Sequence, residues 1–232
     1  MSIVAPSPTV GLLLSGGLDS SILAARLLDQ GRTVHPMYVC TGVTWEHCEL
    51  AAVRRFLAAI RNHRLQPLLT FDLKLTDVYP NHWSLTGQDP PSAGTSDDAV
   101  YLPARNALLI IKPAVWCQLH GIRELALAAL GSNPFPDASP AFFRNLEAVL
   151  NVGSAPRLTI TRPLAELTKT QVMQLAGDCP LDLTFSCIAP RGGLHCGRCN
   201  KCAERRTAFR DAGLADPTQY DGVEGLEPRS QT

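Results

Sequence analysis

Two groups of residues in this chain have the types and spacings that chemistry needs. Cys187, Cys196, Cys199 and Cys202 fall together in FSCIAPRGGLHCGRCNKC, the last three as a C-x-x-C-x-x-C run. Four thiolates on short, tight loops suit a tetrahedral metal; zinc is the commonest match and an iron–sulfur cluster its competitor. Four protein ligands close the coordination sphere, so the expectation is one structural Zn2+ per chain that contributes to folding and does not react. Gly197 permits the turn between ligands, and His195 is a fifth donor that the site does not need. The second group is Ser15, Gly16, Gly17, Leu18, Asp19, Ser20 and Ser21, placed where an apolar strand turns into a helix. Glycines let backbone amides approach an anion, the helix N-terminus favours it, and the serines add hydroxyl donors. Asp19 is out of place if the loop merely binds an anion. It makes sense if it holds Mg2+ beside phosphates or takes part in the binding turn, the alternative being a plain strand–helix turn with a serine N-cap. Neither Gly-x-x-x-x-Gly-Lys-Ser/Thr nor Gly-x-Gly-x-x-Gly occurs, so this is neither a Walker A loop nor a dinucleotide fingerprint.

The elements that must carry these groups follow from hydrophobic periodicity. Val10 to Leu14 is a short, nearly unbroken apolar run, as in a strand buried on both faces. A helix with Ile22, Leu23, Leu27 and Leu28 on one face follows and stops at Gly31. Strand 33–39, helix 46–62 and strand 67–73 come next. The segment 74–98 is polar and broken, the length of loop that is usually functional or mobile. Helix 107–119 contains Pro113, expected to kink it or to lie near an end. Strand 125–130, helix 140–150, strand 158–161 and a helix over 168–175 capped by Thr168 complete the alternation. Strand–helix alternation predicts an α/β fold with parallel strands and right-handed crossovers. From Gly177 the composition changes to a cysteine-bearing appendage with a helix over 201–211. The division expected is therefore 1–176 for the α/β domain and 177–232 for a small zinc-binding subdomain. The last twenty residues, rich in Pro and Gly, are expected to be poorly ordered.

The 232 residues carry 21 basic and 21 acidic side chains and are 45% hydrophobic. That suffices for a core and excludes a disordered chain. Zero net charge argues against a phosphate-backbone clamp, so no stable nucleic-acid partner is expected. No run is long enough for a membrane span and residues 1–9 do not read as a secretory signal, which makes a cytoplasmic protein the expectation and disulfides disfavoured. Cys40, Cys48, Cys117 and Cys179 then read as small buried hydrophobes.

Ser-Gly-Gly-x-Asp-Ser after the first strand resembles the pyrophosphate loop of the N-type ATP pyrophosphatases, which include the GMP, NAD and asparagine synthetases. Two more segments narrow the match: Tyr101-Leu102-Pro103-Ala104-Arg105-Asn106 is similar to a V-P-x-R-N box, and Ser186-Cys187 with Cys196-Gly197-x-Cys199-x-x-Cys202 to a zinc ending. The three in order resemble the 7-cyano-7-deazaguanine synthase family across roughly residues 9 to 212. The resemblance implies a Rossmann-like sheet with helices on both faces, of the adenine nucleotide alpha hydrolase type. It implies ATP with Mg2+, a deazaguanine-like carboxylate and ammonia as partners, and a homodimer. The implied reaction adenylates 7-carboxy-7-deazaguanine, forms the amide, adenylates that and leaves the nitrile, with AMP and pyrophosphate released.

On this resemblance Asp19, Arg105 and Lys169 form the catalytic set and Ser15 to Ser21 hold ATP. Arg105, Asn106, Phe135 and Asp137 would meet the substrate. An arginine at a helix start can pair bidentately with phosphate or carboxylate, or simply be solvated. Lys169 resembles the lysine of the synthetases that touches the leaving phosphates; a first-turn lysine on the surface is the alternative. Asp137 would accept from the guanine-like edge, or be a turn aspartate. Two features depart from the family pattern: Ala138-Ser139 follow Phe135-Pro136-Asp137 where Cys-Arg is usual, and Ile188 follows Cys187 where an aromatic is usual. Both fall in the expected substrate pocket. The alternatives are therefore a paralogue that stops at the amide or joins the acid to another amine, a tRNA-modifying ligase or sulfur-transferase, and a zinc-stapled nucleotide-binding module.

Overall fold

The computed structural model describes residues 8–222. Five parallel strands, β1 (Thr9–Leu13), β2 (Thr33–Cys40), β3 (Leu69–Asp72), β4 (Glu124–Ala126) and β5 (Thr159–Thr161), form one sheet in the order β3-β2-β1-β4-β5. The helices are α1 (Leu18–Asp29), α2 (Glu46–Ala59), α3 (Trp83–Thr86), α4 (Arg105–Leu119), α5 (Pro140–Leu150), α6 (Lys169–Gln174) and α7 (Asn200–Asp211). Strand order reverses beside β1, between β2 and β4, and such a switch point opens a crevice at the carboxyl ends of the strands.

Alternation along β1 divides the core between the two faces of the sheet. Val10, Leu12 and Leu14 join α1, α2, α6 and α7 through Leu23, Phe56, Met173 and Phe209. Met37 and Leu125 join α4 and α5 through Ile110, Cys117 and Phe143 on the other face. Gly11 lets α4 approach: a Cβ there would lie 2.6 Å from the Cys117 sulfur and 3.0 Å from Met37 Cε. Arg32 donates to both carboxylate oxygens of Glu124, at 3.1 and 2.5 Å, and locks the turn after α1 to the start of β4.

Several boundaries differ from the sequence reading, each for a physical reason. β4 ends at Ala126; Leu127 N–H still donates to the Thr161 carbonyl at 2.9 Å, and Leu127, Ala128 and Ala129 turn to line the crevice. α4 begins two residues early, at Arg105, where the Asp137 carboxylate accepts from the first-turn N–H of Asn106, and Pro113 is buried inside it. The long segment after β3 contains α3 and a 3-10 turn over 97–100, and is pinned where Asn200 N–H donates to the Pro91 carbonyl at 3.1 Å and Ala93 N–H to that of Arg198 at 2.9 Å. Thr168 caps α6 in a reciprocal capping box with Gln171. The expectation of poor order over the last twenty residues is half outside the described residues. Within them, Thr218 and Tyr220 are fastened by Arg205 and Arg206.

The cysteine-bearing segment packs into the same core as the sheet, since Leu181, Ala208 and Phe209 belong to the cluster of Leu12 and Ile22. A third cluster ties all four cysteines to Val43, Trp45 and Ala52 at the start of α2. No helix among the described residues is long and apolar enough to cross a membrane.

Candidate active site

The two glycines of the loop between β1 and α1 serve different ends. Gly16 has φ +81°, and a Cβ on it would stand 2.8 Å from Val53 Cγ2, so packing against α2 excludes any side chain. Gly17 has room, with Ser15 Oγ 3.5 Å and Phe185 O 3.9 Å from a built Cβ; its bareness leaves the crevice floor open. Ser20 Oγ accepts from Ser15 N–H at 3.2 Å and donates to the Gly17 carbonyl at 3.3 Å, which fixes the curl of the loop. First-turn amides of α1 have no intrahelical acceptor and face the anion-favouring end of the dipole. Phe185 N–H donates to the Gly16 carbonyl at 2.7 Å, so the segment leading into the cysteines is bonded to the loop itself.

The crevice is a cavity of about 420 Å³ lined by the loop, by the residues after β4, and by Arg105, Lys169 and Lys201. Lys169 Nζ donates to Asp19 Oδ1 at 2.5 Å, joining α6 to α1 across 150 residues of sequence. Arg105 enters from the start of α4, and its Nε is buried with no partner among the described residues. Lys201 and Glu204 of α7 form an ion pair of 2.6 Å on the opposite wall. Beneath them Arg205 is 2% exposed and donates to Thr218, Thr184, Ser186 and the Leu181 carbonyl at 2.5 to 3.2 Å.

Two acids lining the cavity, Glu204 and Glu49, were not picked out from the sequence, and Glu204 is spent on Lys201. Glu49, in the first turn of α2, accepts from the Tyr38 hydroxyl at 2.6 Å through Oε2. Burial pushes its carboxyl up to about 7, against the opposing pull of the Tyr38 hydrogen bond and the Arg105 charge. The signal available was position: Tyr38 and Glu49 flank the carboxyl end of β2, where ligands bind in sheets of this order.

Of the expected site residues, Ser15, Gly17, Leu18, Asp19, Ser20, Arg105, Asn106 and Lys169 line one cavity. Gly16 and Ser21 stand behind it; Ser21 is fully buried and its Oγ has no partner among the described residues. Asp137 and Phe135 are also outside the lining. Asp137 Oδ2 accepts from Asn106 N–H at 3.0 Å, its carbonyl accepts from Asn106 Nδ2 at 2.9 Å, and Phe135 stacks on Tyr101 at 5.0 Å. Here Asp137 acts on the start of α4, and so on the aim of Arg105.

The four-cysteine cluster has the geometry of a metal site. Its sulfurs lie within 4.8 Å of one another and all four residues are buried. The Cys187–Cys199 and Cys196–Cys202 separations are 3.9 and 4.0 Å, and tetrahedral Zn–S bonds of about 2.3 Å imply roughly 3.8 Å. Backbone amides of Ala189 and Cys196 donate to the Cys187 sulfur, and those of Arg198 and Cys199 to that of Cys196, at 3.2 to 3.4 Å, an arrangement that favours thiolates. Next to them His195 accepts from Ser186 N–H at 3.1 Å, and burial pulls its pKa down to about 4, so it is a neutral structural acceptor. The other four cysteines stay clear of the cavity lining; burial pushes Cys117 and Cys179 up to about 12, the range of inert thiols.

Residues 9–213 match the family model described as queuosine biosynthesis protein QueC. A 7-cyano-7-deazaguanine synthase of Azoarcus sp. (strain BH72) is 31% identical, covering 92% of this chain and 97% of the relative. One from Thiobacillus denitrificans is 32% identical, covering 92% and 98%. Among solved structures, a 4-thiouridine synthetase in complex with RNA and bound ATP superposes with a TM-score of 0.50 at 15% identity, over 89% of this chain and 50% of that one, which is a likeness of fold.

Proposed function

This chain belongs to the QueC family of queuosine biosynthesis proteins, and from that premise we propose that it is an ATP-dependent carbon–nitrogen ligase. The reaction proposed takes 7-carboxy-7-deazaguanine and ammonia to 7-cyano-7-deazaguanine. One observation carries the reading: the glycine loop, the arginine of the Tyr101–Asn106 box and the Lys169–Asp19 pair converge on one cavity at the switch point of the sheet.

In this reading the α1 amides and Ser15 take the phosphates, with Lys169 beside them as the cation for the departing pyrophosphate. Arg105, whose Nε has no partner among the described residues, orients the carboxylate against the α-phosphorus. The carboxylate oxygen displaces pyrophosphate to give the acyl adenylate; ammonia attacks the acyl carbon, AMP leaves, and the amide results. A second ATP adenylates the amide oxygen with release of pyrophosphate, and loss of both nitrogen protons and of AMP gives the nitrile. Asp19 keeps Oδ2 free of Lys169 at the mouth of the loop, where it suits Mg2+, an ion that offsets phosphate charge when bound. Cys187, Cys196, Cys199 and Cys202 would hold one Zn2+, whose contribution is to folding: it fixes the wall that bears Lys201, Glu204 and Arg205.

Incubation of the purified protein with ATP, 7-carboxy-7-deazaguanine and ammonium tests this, with nucleotides resolved by chromatography and the base by mass. AMP with pyrophosphate and a product at the nitrile mass are expected; ADP in place of AMP would sink the mechanism. A product that stops at the amide mass favours the paralogue reading. That reading is supported by one observation, the diversion of Asp137 to Asn106 in the segment that departs from the family pattern. No cysteine lines the cavity among the described residues, so the reading taken here involves no sulfur transfer.

A further inference from the structure

The roles just proposed use the loop, its cations and the metal segment, and leave one half-buried acid in the cavity unemployed. Glu49 projects from the first turn of α2 into the same space as Asp19 and Arg105. Two neighbours fix where in that space it lies. Its Cγ is 3.7 Å from where a Cβ on Gly16 would be, so it flanks the phosphate loop. Arg105, the group proposed to hold the carboxylate, lines the same cavity, and its charge opposes the rise of the Glu49 pKa. The junction of phosphate loop and carboxylate holder is where the acyl carbon meets the α-phosphate, and a nitrogen nucleophile must arrive there.

We propose that Glu49 is the base that takes a proton from the attacking nitrogen, with Tyr38 holding its carboxylate in position; the assignment rests on the ligase reading above. As the C–N bond forms, one N–H proton passes from nitrogen to Oε1 of Glu49, the oxygen Tyr38 does not hold. The acyl C–O bond to AMP then breaks, and its electron pair stays on the AMP phosphate oxygen. The same carboxyl returns its proton to solvent between turnovers.

Other uses of an acid here fit less well. A guanine-like edge presents two adjacent N–H donors and wants both oxygens, while Oε2 is already engaged by the Tyr38 hydroxyl at 2.6 Å. A magnesium ligand must be ionised throughout, whereas burial raises this carboxyl to about 7, the range in which a base both accepts and releases protons near neutrality. The groups acting on it from the surrounding elements are Tyr38 on β2, Arg105 on α4, Glu46 on α2 itself and Trp45 just before α2, whose side chain hydrogen-bonds to it. Glu46 is turned away, accepting from Gly42 N–H at 2.8 Å.

The test separates the two chemical steps. Exchange of labelled pyrophosphate into ATP, dependent on 7-carboxy-7-deazaguanine and without ammonia, reads adenylation alone; single-turnover amide formation at fixed free ammonia reads the attack. Glu49→Gln, which keeps the volume and an acceptor for Tyr38, should lower the ratio of amide formation to exchange by about 10²- to 10³-fold. It should also erase the acid limb of the amide-forming rate near pH 7. Tyr38→Phe should move that limb to higher pH, because the lost hydrogen bond had favoured the ionised acid. If exchange falls as far as amide formation, Glu49 belongs to phosphate, metal or acid binding and the proposal is wrong; an unchanged ratio overturns it equally. A wild-type protein that shows no exchange would instead overturn the ligase reading itself.

Discussion

Replacing Glu49 by Gln should make the protein more stable at alkaline pH and nearly indifferent in acid. The carboxyl titrates near 4.5 in the unfolded chain and near 7 in the folded one, because burial penalises its charged form. Between those values the folded state holds a proton that the unfolded state has lost, so stability from this group is full below the unfolded pKa and is lost as pH rises through the folded one. At about 1.4 kcal/mol per unit the wild type gives up on the order of 3 kcal/mol, most of it between pH 5 and pH 8. Glutamine does not titrate and retains an oxygen for the Tyr38 hydroxyl, so its stability should gain about 2–3 kcal/mol on wild type over that interval. Urea midpoints at fixed metal, followed by tryptophan fluorescence, measure this directly, since Trp45 lies in the buried cluster at the start of α2. His195 opposes the trend, because its depressed pKa destabilises the fold as pH falls from 6.5 toward 4, but it does so in both proteins and cancels in the difference. Parallel curves for the two proteins, or a gap that widens toward acid, would refute the assignment of a buried, proton-holding carboxyl to this position.

Four further outcomes bear on the loop and the metal segment. Gly16→Ala should cost about 1–3 kcal/mol in a denaturant titration, since the new methyl meets Val53 at 2.8 Å with φ at +81°. Gly17→Ala should leave the midpoint within about 0.5 kcal/mol and instead weaken nucleotide binding in calorimetry, because its methyl enters the cavity floor. Purified protein should carry one metal ion per chain by elemental analysis, and Cys199→Ser should lose it; proteolysis should then cut first after Phe185, where the segment ceases to be held by its sulfurs. Arg205→Met should lower stability by about 2–4 kcal/mol, because Thr184 and the Leu181 carbonyl lose their donor in a buried site, with the midpoint read by thermal melting.

The elements that pack against both faces of the sheet were the legible ones, and the reason is visible in β1. Val10, Leu12 and Leu14 are buried on one face and Leu13 packs on the other, so an unbroken apolar run is what a doubly covered parallel strand must show. The glycine loop and the cysteine run were legible for a different reason: each is a local device, complete within about seven or sixteen residues, and spacing alone carries its geometry. Thr168 and Gln171 announce α6 in the same local way.

What stayed hidden is whatever depends on residues far apart in sequence. Leu127 to Ala129 are as apolar as a strand, yet they lie past the end of β4 and form an apolar wall of the crevice at the switch point, so hydrophobicity could not separate strand from lining. Asp137 is the sharper case. A carboxylate beside a proline turn reads equally well as a substrate acceptor or a turn residue, and the deciding partner, the Asn106 amide, is 31 residues away. Glu49 was masked by its own helix: with Glu46 before it, it looks like a favourable charge in a first turn. What distinguishes the two acids is that Glu46 is spent on Gly42 while Glu49 meets Tyr38 at the end of β2, inside the crevice. A general procedure follows for chains of this topology. Once the phosphate loop fixes β1, the first turn of the helix after the neighbouring strand faces the same crevice, and a charged residue there is to be weighed as chemistry before it is assigned to helix stability.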